Sequence, residues 1–496
     1  MVGFEKPSKM PSFRIFNKDD LYAIHGASLE VLSRTGIKIA HGENLLKALK
    51  KKGCDIDLKK GTVRFPSYLV EEGLKKVSKR AIIYARNPKY DCRLDGRHIY
   101  FSTGTETTNT VDLEDGEWKP STKNDLEKLT RLINALESVN LVGTITTSLD
   151  KPDNVRCLHD YEAVLNNTEK PCGFNLYPPE LAWYLLDRLI EMTVAVAGSE
   201  KKLKQRPLIG GFFCTESPLQ LEGVFVETTL KLANMGFGCG IASMPMGGAT
   251  APSTLAGTLL MANAEMLCGI CTVQLLCPGT PISCTYLPAS LDMRYGTTGY
   301  GPEAMLQAAA AVEIAHYYGL PVHVFGAACM ANLIGVQSGI ESTMSGILSV
   351  LAGADILYGL GDLGDGMAAS FERLVIDDEL CKSFPFLAQG VEVSDETLAL
   401  DIIHKVGPGG EYVSQKHTLE HFRKEYFYPE LADTRNYAAW KKAGAKTLGE
   451  KAREKAKEIL KEHCPTPLDK DVQKEISNII EKAEKELSKK NIPEQT

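Results

Sequence analysis

From about residue 124 onward the chain alternates two patterns of hydrophobic positions. Segments with apolar residues at helical spacing are followed by short apolar runs that end in small or polar residues. The seven runs are NLVGTITTS, PCGFNLY, PLIGGFFCTES, CGIASMPMGG, PISCTYLP, VHVFGAA and ADILYGL. Strands that alternate with helices predict a mostly parallel sheet with crossover helices. We therefore expect an α/β fold, best fitted by a TIM (β/α)8 barrel whose eighth strand lies before Asn124 or near GGEYV. An open doubly wound sheet is the alternative.

The regions before and after this repeat have different patterns. DLYAIHGASLEVLSRTG, GENLLKALKKKG and SYLVEEGLKKVSK predict helices, and TVRFP predicts a short strand between the last two. YDCRLDGRHIYFSTG and TNTVDLEDGEWKPST predict a small antiparallel sheet. After Trp440, two segments rich in Lys, Glu and Ala predict amphipathic helices. We divide the chain into an N-terminal α+β cap with a small sheet (1–123), the barrel (124–440) and C-terminal helices (441–496).

Composition narrows the class of partner. The 496 residues are 44% hydrophobic and 24% charged, with a formal net charge of −7. An acidic balance gives no broad basic surface for nucleic acid, so the expected partner is a small molecule or another protein. The N-terminus has no apolar segment of signal-peptide length, and Asn263 and Glu265 interrupt the most apolar later run. These features predict a cytoplasmic protein with no membrane association.

One glycine-rich motif needs a choice between two interpretations. GLGDLG has the G-x-G-x-x-G spacing of a dinucleotide site and follows a predicted strand, with its glycines at Gly359, Gly361 and Gly364. A helix should open directly afterwards, but the chain continues with DGMAASFERL. We therefore interpret the motif as a loop at the mouth of the barrel, leaving the carboxyl end of a strand.

Two pairs of metal-ligand residues have suggestive spacing. Cys268 and Cys271 form a C-x-x-C, but MANAEMLCGICTVQLL predicts a buried helix, and no second pair completes a zinc site. His417 and His421 lie four residues apart in HTLEH, and the sequence shows no third ligand. We expect both pairs to be structural and predict no metal in the functional site.

The predicted strand ends carry aromatic, acidic and sulfur side chains, with few groups that handle protons. The members of this set that we assign to the substrate pocket are Phe213, Glu216, Phe325, Met330 and Tyr358. An apolar pocket with a carboxylate suits an organic cation, which ring faces can hold. Glu216 is the predicted acidic neighbour of the cation.

The stretch GPGGEYVSQKHTLEHFRKEYFYPELADTRNYAAW, Gly407 to Trp440, resembles the trimethylamine methyltransferase superfamily. Shared elements are the Gly-Pro-Gly-Gly segment, the His417–Thr418 pair and the run from Phe427 to Arg435 before the Trp. The segments LEVLSRTGIKIAHGENLLKALKKKGCDID and AGADILYGLGDLGDGMAASFERLVIDDE also resemble this family. The resemblance implies a TIM barrel and methyl transfer from an amine to the Co(I) of a separate corrinoid protein.

The same resemblance suggests the class of substrate. The founding trimethylamine enzymes carry pyrrolysine in the loop that corresponds to FGAACMANLIGVQSGIES, where this chain has standard residues and Asn332 lies nearest the position. The chain is thus similar to the non-pyrrolysine branch, whose substrates are quaternary amines such as glycine betaine, proline betaine, carnitine and γ-butyrobetaine. This implies no tightly bound cofactor, a corrinoid carried by a partner protein, and a homo-oligomer.

A betaine also carries a carboxylate that needs a partner. Arg294 is our first candidate because a guanidinium binds carboxylates bidentately, Tyr295 would pack beside the ammonium, and His323 is a second polar candidate. We expect no general acid or base. Two alternatives stay open: a zinc-dependent corrinoid methyltransferase of the methanol-using kind, and a non-catalytic betaine-binding protein.

Overall fold

The computed structural model describes residues 3–104 and 106–488. The α-helices of this part are α1 Lys18–Glu30, α2 Glu43–Lys51, α3 Ser67–Lys76, α4 Lys123–Ala135, α5 Arg156–Asn167, α6 Ala182–Ala197, α7 Glu200–Gln205, α8 Gly223–Asn234, α9 Leu255–Leu276, α10 Pro302–Tyr317, α11 Val336–Ala352, α12 Phe371–Gln389, α13 Asp395–Leu398, α14 Leu400–Val406, α15 Lys416–Glu425, α16 Tyr437–Lys442, α17 Leu448–Glu462 and α18 Lys470–Ser488. The strands are β1 Phe4–Glu5, β2 Ile37–Ala40, β3 Asp55–Asp57, β4 Thr62–Arg64, β5 Ala81–Ile83, β6 Cys92–Leu94, β7 His98–Thr103, β8 Asn109–Val111, β9 Trp118–Pro120, β10 Gly211–Glu216, β11 Gln220–Glu222, β12 Cys239–Ser243, β13 Met246–Gly247, β14 Ile282–Tyr286, β15 Ala289–Asp292, β16 Thr297–Gly299, β17 Val322–Phe325, β18 Ile356–Leu360, β19 Asp362–Leu363 and β20 Ala368–Ser370.

A mostly parallel sheet forms the centre of the molecule. Its strands β7, β18, β17, β14, β12 and β10 lie side by side in this order, and each neighbouring pair is parallel. Helices α8 to α12, each of which follows one of the strands β10 to β18 in the chain, bury apolar residues against one face of the sheet. The predicted α/β class with a large parallel sheet is thereby confirmed.

The two earliest predicted runs join this sheet through short pairings. Ser102 of β7 bridges Leu141 in parallel, and Val142 bridges Cys172 in parallel. The Gly173 N–H donates to the Val142 carbonyl at 2.9 Å. The eighth strand is β7, before Asn124, which was one of its two predicted positions. The other position, GGEYV, forms a turn and irregular backbone.

The predicted helices and short strand of the N-terminal region are present, but the prediction of one small antiparallel sheet is wrong: β5 pairs with β6, β8 pairs with β9, and β7 joins the central sheet in parallel with β18. The three helices are α1, α2 and α3, and TVRFP contains β4. β2, β3 and β4 extend the main sheet beyond β11, because β11 pairs with β2 in parallel. β8 and β9 form an antiparallel pair that continues through β20 to β19, the strand within the glycine-rich loop. The N-terminal region therefore reaches the carboxyl end of the sheet.

Helix α9 is the most apolar helix of the chain. Among the described residues it is the one helix long and apolar enough to cross a membrane, and 83% of its apolar window is buried inside the protein. Cys268 and Cys271 lie within it and are fully buried, as expected for core thiols. A buried core helix accounts for the composition of this segment.

The polar residues that interrupt α9 are bonded inside the core. Glu265 is fully buried, and its carboxylate accepts hydrogen bonds from the hydroxyls of Thr215, Ser217 and Ser243 at 2.7–2.8 Å and from the Leu219 N–H at 2.9 Å. Four donors around one carboxylate offset the loss of its hydration. Glu265 therefore fixes the carboxyl ends of β10 and β12 against α9.

Candidate functional site

The two faces of β10 have different roles. Phe213 is 2% exposed and packs against α9, because a Cβ on Gly269 would lie 3.2 Å from its ring. Thr215 points the same way and donates to Glu265. Side chains alternate along a strand, so Phe212, Cys214 and Glu216 occupy the opposite face. This opposite side of β10, which we call the inner face, is turned away from α9, and Phe212 is 50% exposed there. The structure thus places Phe213 in the core and its neighbour Phe212 on the inner face.

Strand register extends the inner face across the sheet. Cys214 pairs with Ala242, Ala242 with Thr285, and Thr285 with His323. Paired residues of parallel strands point to the same face, so these four form one row. Glu216 lies two residues beyond Cys214, and Phe325 lies two residues beyond His323. The next row toward the carboxyl ends therefore contains both Glu216 and Phe325.

An aromatic group forms one side of this second row. Phe325 pairs with Tyr358, with ring centroids 6.2 Å apart. The Tyr300 ring meets Phe325 edge to face at 5.4 Å. Met330 packs on the same cluster as Tyr300 and Phe325. The structure therefore brings together the predicted residues Phe325, Met330 and Tyr358, with His323 one row deeper.

Acidic residues lie on the β10 side of the inner face. Desolvation raises the pKa of Glu106 to about 7, and the negative charge of Asp160 adds to this rise, while a hydrogen bond with Asn175 opposes it. Desolvation also raises the pKa of Cys214 to about 11, with further contributions from Glu106 and Glu216. Both Cys214 and Glu106 are nevertheless open to solvent. A side chain that is desolvated yet accessible lies in a concave part of the surface, so this part of the face is a concave site that carries acidic side chains.

His323 is a neutral group at the bottom of the site. Burial lowers its pKa to about 4, so at neutral pH the ring carries no charge. Its Nε2 atom has no hydrogen-bond partner among the described residues. An uncharged imidazole can donate or accept one hydrogen bond to a ligand but cannot pair with a carboxylate as an ion.

A buried ion pair holds the loops that follow β17 and β18. The Arg373 guanidinium, 1% exposed, contacts Asp377 at 2.9 Å and donates to the Ala327 carbonyl at 2.9 Å. Asp377 in turn accepts the Gly361 N–H at 2.9 Å. Ala327 has φ +95°, a conformation that costs a non-glycine residue energy and needs support from its surroundings. The pair therefore links both loops to α12.

The glycine-rich motif runs from the last residues of β18, which include Gly359, through a turn at Gly361 into the short strand β19. Gly359, Gly361 and Gly364 have φ of 107°, 88° and 59°, which favour glycine. The Gly364 N–H donates to the Ala331 carbonyl at 2.9 Å, so the loop packs on the segment after β17. Asn332 is exposed at this junction, where its carbonyl accepts the Trp118 indole N–H at 3.1 Å.

Arg294 and Tyr295 lie at the exposed tip of the hairpin formed by β15 and β16. Arg294 forms a two-point ion pair with Asp292, with Nε–Oδ1 at 3.0 Å and Nη2–Oδ2 at 2.6 Å. Tyr295 is 77% exposed. Burial raises the pKa of Asp365, the residue after the glycine-rich motif, and a hydrogen bond from Thr298 of β16 opposes this rise, so the hairpin lies next to that motif. In this structure the Arg294 guanidinium is bound by Asp292 and lies over the Tyr295 ring, 5.4 Å from its centroid.

Three functional groups were missed in the sequence. Glu106 lies in an irregular segment where no periodicity marks it. Cys214 stands in the apolar run PLIGGFFCTES, where nothing local marks it as exposed. The Arg373–Asp377 pair has the i, i+4 spacing of an ordinary surface ion pair, and nothing in the sequence distinguishes it as buried.

Comparisons with known proteins identify the family of the chain. Residues 5–488 match the family model described as "Trimethylamine methyltransferase (MTTB)". The chain is 33% identical over 472 residues to trimethylamine methyltransferase MttB of Desulfitobacterium hafniense, covering 95% of this chain and 94% of that protein. It is 29% identical to a glycine betaine methyltransferase from another strain of that species, covering 96% and 98%. A crystal structure of the hydroxylamine MtmB complex aligns with TM-score 0.49 and 12% identity over 96% of this chain and 88% of that one. The chain therefore belongs to the trimethylamine methyltransferase family and is a methyltransferase.

Proposed function

We propose that the protein transfers a methyl group from a quaternary amine to the Co(I) of a cognate corrinoid protein. The observation that carries this proposal is the inner face, where Phe325, Tyr358 and Tyr300 stand across the sheet from Glu216 and Glu106. Ring faces and carboxylates together attract an alkylated ammonium ion without requiring an N–H donor on it. Glycine betaine, proline betaine, carnitine and γ-butyrobetaine all present such a group.

The reaction needs little from acid–base groups. As the bond from nitrogen to the methyl carbon breaks, its electron pair stays on the nitrogen, which leaves as a neutral tertiary amine. The methyl carbon bonds to the electron pair of Co(I), and no proton moves. The protein has to orient one methyl toward the mouth and keep water away from it. Neutral His323 and the aromatic cluster fit these tasks.

A betaine substrate would place its carboxylate away from the transferred methyl. We propose Arg294 as the partner of that carboxylate and Tyr295 as its neighbour, with the hairpin tip folding over the bound substrate. This assignment requires Arg294 to exchange its ion pair with Asp292 for one with the substrate. An exposed pair of this kind contributes little to stability, so the exchange costs little.

The mouth loops are the proposed docking site of the corrinoid protein. The segment with Asn332, which corresponds to the pyrrolysine position of the founding enzymes, and the loop with Gly359, Gly361 and Gly364 both lie at the carboxyl ends of strands. Their backbone is held by the Arg373–Asp377 pair, so the acceptor would meet a rigid rim. No cofactor held by this chain is needed.

We further propose that the sheet closes as a (β/α)8 barrel. Among the six strands of the central parallel sheet, β7 comes first in the chain and β18 comes last, and these two pair with each other. A closed barrel requires this pairing, and a doubly wound sheet does not have it. The division into residues 1–123, 124–440 and 441–496, a cytoplasmic location and a homo-oligomer also stay predictions.

The reaction is tested anaerobically with a corrinoid acceptor reduced to Co(I). We expect the methyl–Co(III) spectrum to rise with at least one quaternary amine in a panel that also contains trimethylamine and methanol. A rise with methanol alone and a requirement for zinc would favour the zinc-dependent alternative. Tight amine binding without any transfer to a competent acceptor would favour a binding protein.

Two variants test the pocket. Glu216→Gln should raise KM for the amine, while Glu43→Gln is the control, because the Glu43 side chain on α2 is exposed. Arg294→Ala should raise KM for a betaine more than for an amine without a carboxylate. Its matched control is Arg435→Ala, because Arg435 forms the same two-point pair with Asp433. Wild-type kinetics in either pocket variant would remove that residue from the proposal.

A further inference from the structure

A cluster of metal-ligand side chains lies in the C-terminal arm, residues 390–447. His417 and His421 of α15 and Glu396 of α13 each offer one ligand atom, and these three atoms lie within 4.8 Å of one another. The sequence showed the histidine pair, and the fold supplies the third ligand from 21 residues earlier in the chain. The cluster is separate from the methyl-transfer site.

The two imidazoles are positioned as a pair. Their ring centroids are 4.1 Å apart with an interplanar angle of 22°. His421 Nε2 lies 3.1 Å from Glu396 Oε1. His417 Nε2 is shielded from solvent and has no hydrogen-bond partner among the described residues.

We propose that Glu396, His417 and His421 bind a divalent transition-metal cation of the zinc type. Two imidazole nitrogens and one carboxylate oxygen are ligands that Zn²⁺ prefers, whereas Mg²⁺ and Ca²⁺ prefer oxygen alone. A tetrahedral ion would draw the ligand atoms to about 3.4 Å from one another and leave its fourth position to water. Small side-chain rotations at a partly exposed site suffice for this change.

The cation has a structural task in this arm. In the described residues, α13, α14 and α15 contain no buried side chain. Helices without a buried face gain little stability from packing. A metal that joins α13 to α15 would close the intervening loop and hold the arm in one conformation.

Binding is tested with the full chain after removal of metal by a chelator. We expect titration with Zn²⁺ to show one site that is lost in the His417→Ala/His421→Ala double variant, with affinity lower by more than about 100-fold, since loss of a second-shell partner alone costs about 10–100-fold. His404→Ala on α14 is the matched control. Equal affinity and stoichiometry in the double variant and the control would overturn the proposal. Glu396→Gln is an isosteric change of an exposed side chain and does not endanger folding. It should also lower the affinity for Zn²⁺ relative to the His404→Ala control.

Co²⁺ identifies the ligands independently of activity. Bound at this site it should give visible absorption of a four-coordinate ion without a thiolate charge-transfer band, which the exposed Cys214 and Cys464 would produce. A thiolate band that persists in the double variant would assign the metal elsewhere and overturn the site. Zn²⁺ should also slow tryptic cleavage after Lys405 and Lys416 in the wild type but not in the double variant. Equal cleavage rates with and without the metal would overturn its structural task.

Discussion

Replacing Arg373 by Met removes one partner of a buried ion pair while keeping most of the side-chain volume. Asp377 would remain buried without its counterion, and the Ala327 carbonyl would lose a donor. Loss of one partner of a buried pair costs about 3–5 kcal/mol, and an unpaired carbonyl adds about 1–3 kcal/mol. Because these terms share one side chain and do not add fully, we expect the free energy of unfolding to fall by about 4 kcal/mol.

The loss should depend on pH with a definite sign. Burial raises the pKa of Asp377 to about 6 even beside Arg373, and removal of the guanidinium raises it further. A carboxyl with a higher pKa in the folded than in the unfolded state stabilises the fold at low pH, and this contribution is lost as pH rises through the folded value. The deficit of Arg373→Met should therefore be smallest near about pH 5 and grow toward about pH 8.

Urea unfolding across this pH range measures the effect. The double variant Arg373→Met/Asp377→Asn is the control, because the amide oxygen still accepts the Gly361 N–H while the orphaned charge is removed. It should recover part of the lost stability. A loss below about 1 kcal/mol in the single variant, as for a surface pair, or no recovery in the double variant, would refute the reasoning.

Three further predictions concern the site and its support. Because the pKa of Glu106 is raised to about 7, KM for a quaternary amine should fall as pH rises through that value. KM of the Glu106→Gln variant, measured from initial rates, should not depend on pH in this range. The same pH dependence of KM in the variant and the wild type would contradict a role for Glu106 in binding the amine. Phe325→Leu should raise KM about 2- to 30-fold, from about 0.5–2 kcal/mol of cation–π energy, whereas Phe325→Tyr should leave it near wild type. Glu265→Leu leaves three hydroxyls and the Leu219 N–H without their acceptor, and should lower the free energy of unfolding by about 3 kcal/mol or more; a wild-type urea midpoint would show that these groups find other partners.

The hydrophobic pattern was sufficient for the α/β class and its large parallel sheet, because the runs that became strands bury side chains under the helices that follow them. Val322 and Val324 lie under helices, and this alternation was visible in VHVFGAA. The runs around Leu141 and Cys172 have the same apolar character but pair with the sheet only through single bridges. The number of residues in such a run that pair with a neighbouring strand depends on the segments that lie beside it in the fold, and these cannot be read from the run itself.

The site was partly accessible to the same reasoning. Phe325, Met330 and Tyr358 were expected from their position at strand ends, and the structure clusters them. In GGFFCTES two phenylalanines are adjacent, and only the position of α9 decides that Phe212 faces inward. Glu106 and Glu396 contact residues that are far from them in the sequence, so no local spacing could identify them.

The C-terminal helices cover the part of the sheet that has the fewest strand pairings. Ile476, Ile480, Ala483 and Leu487 of α18 pack with α5 and α6 in one hydrophobic cluster. A ribosome releases α18 long after α5 and α6, so a nascent chain has these two helices before their cover exists. Until α18 has emerged, this apolar surface is open to other nascent chains and to chaperones. Truncation before residue 470 should therefore lower the soluble yield in cells more than it lowers the activity of molecules that do fold.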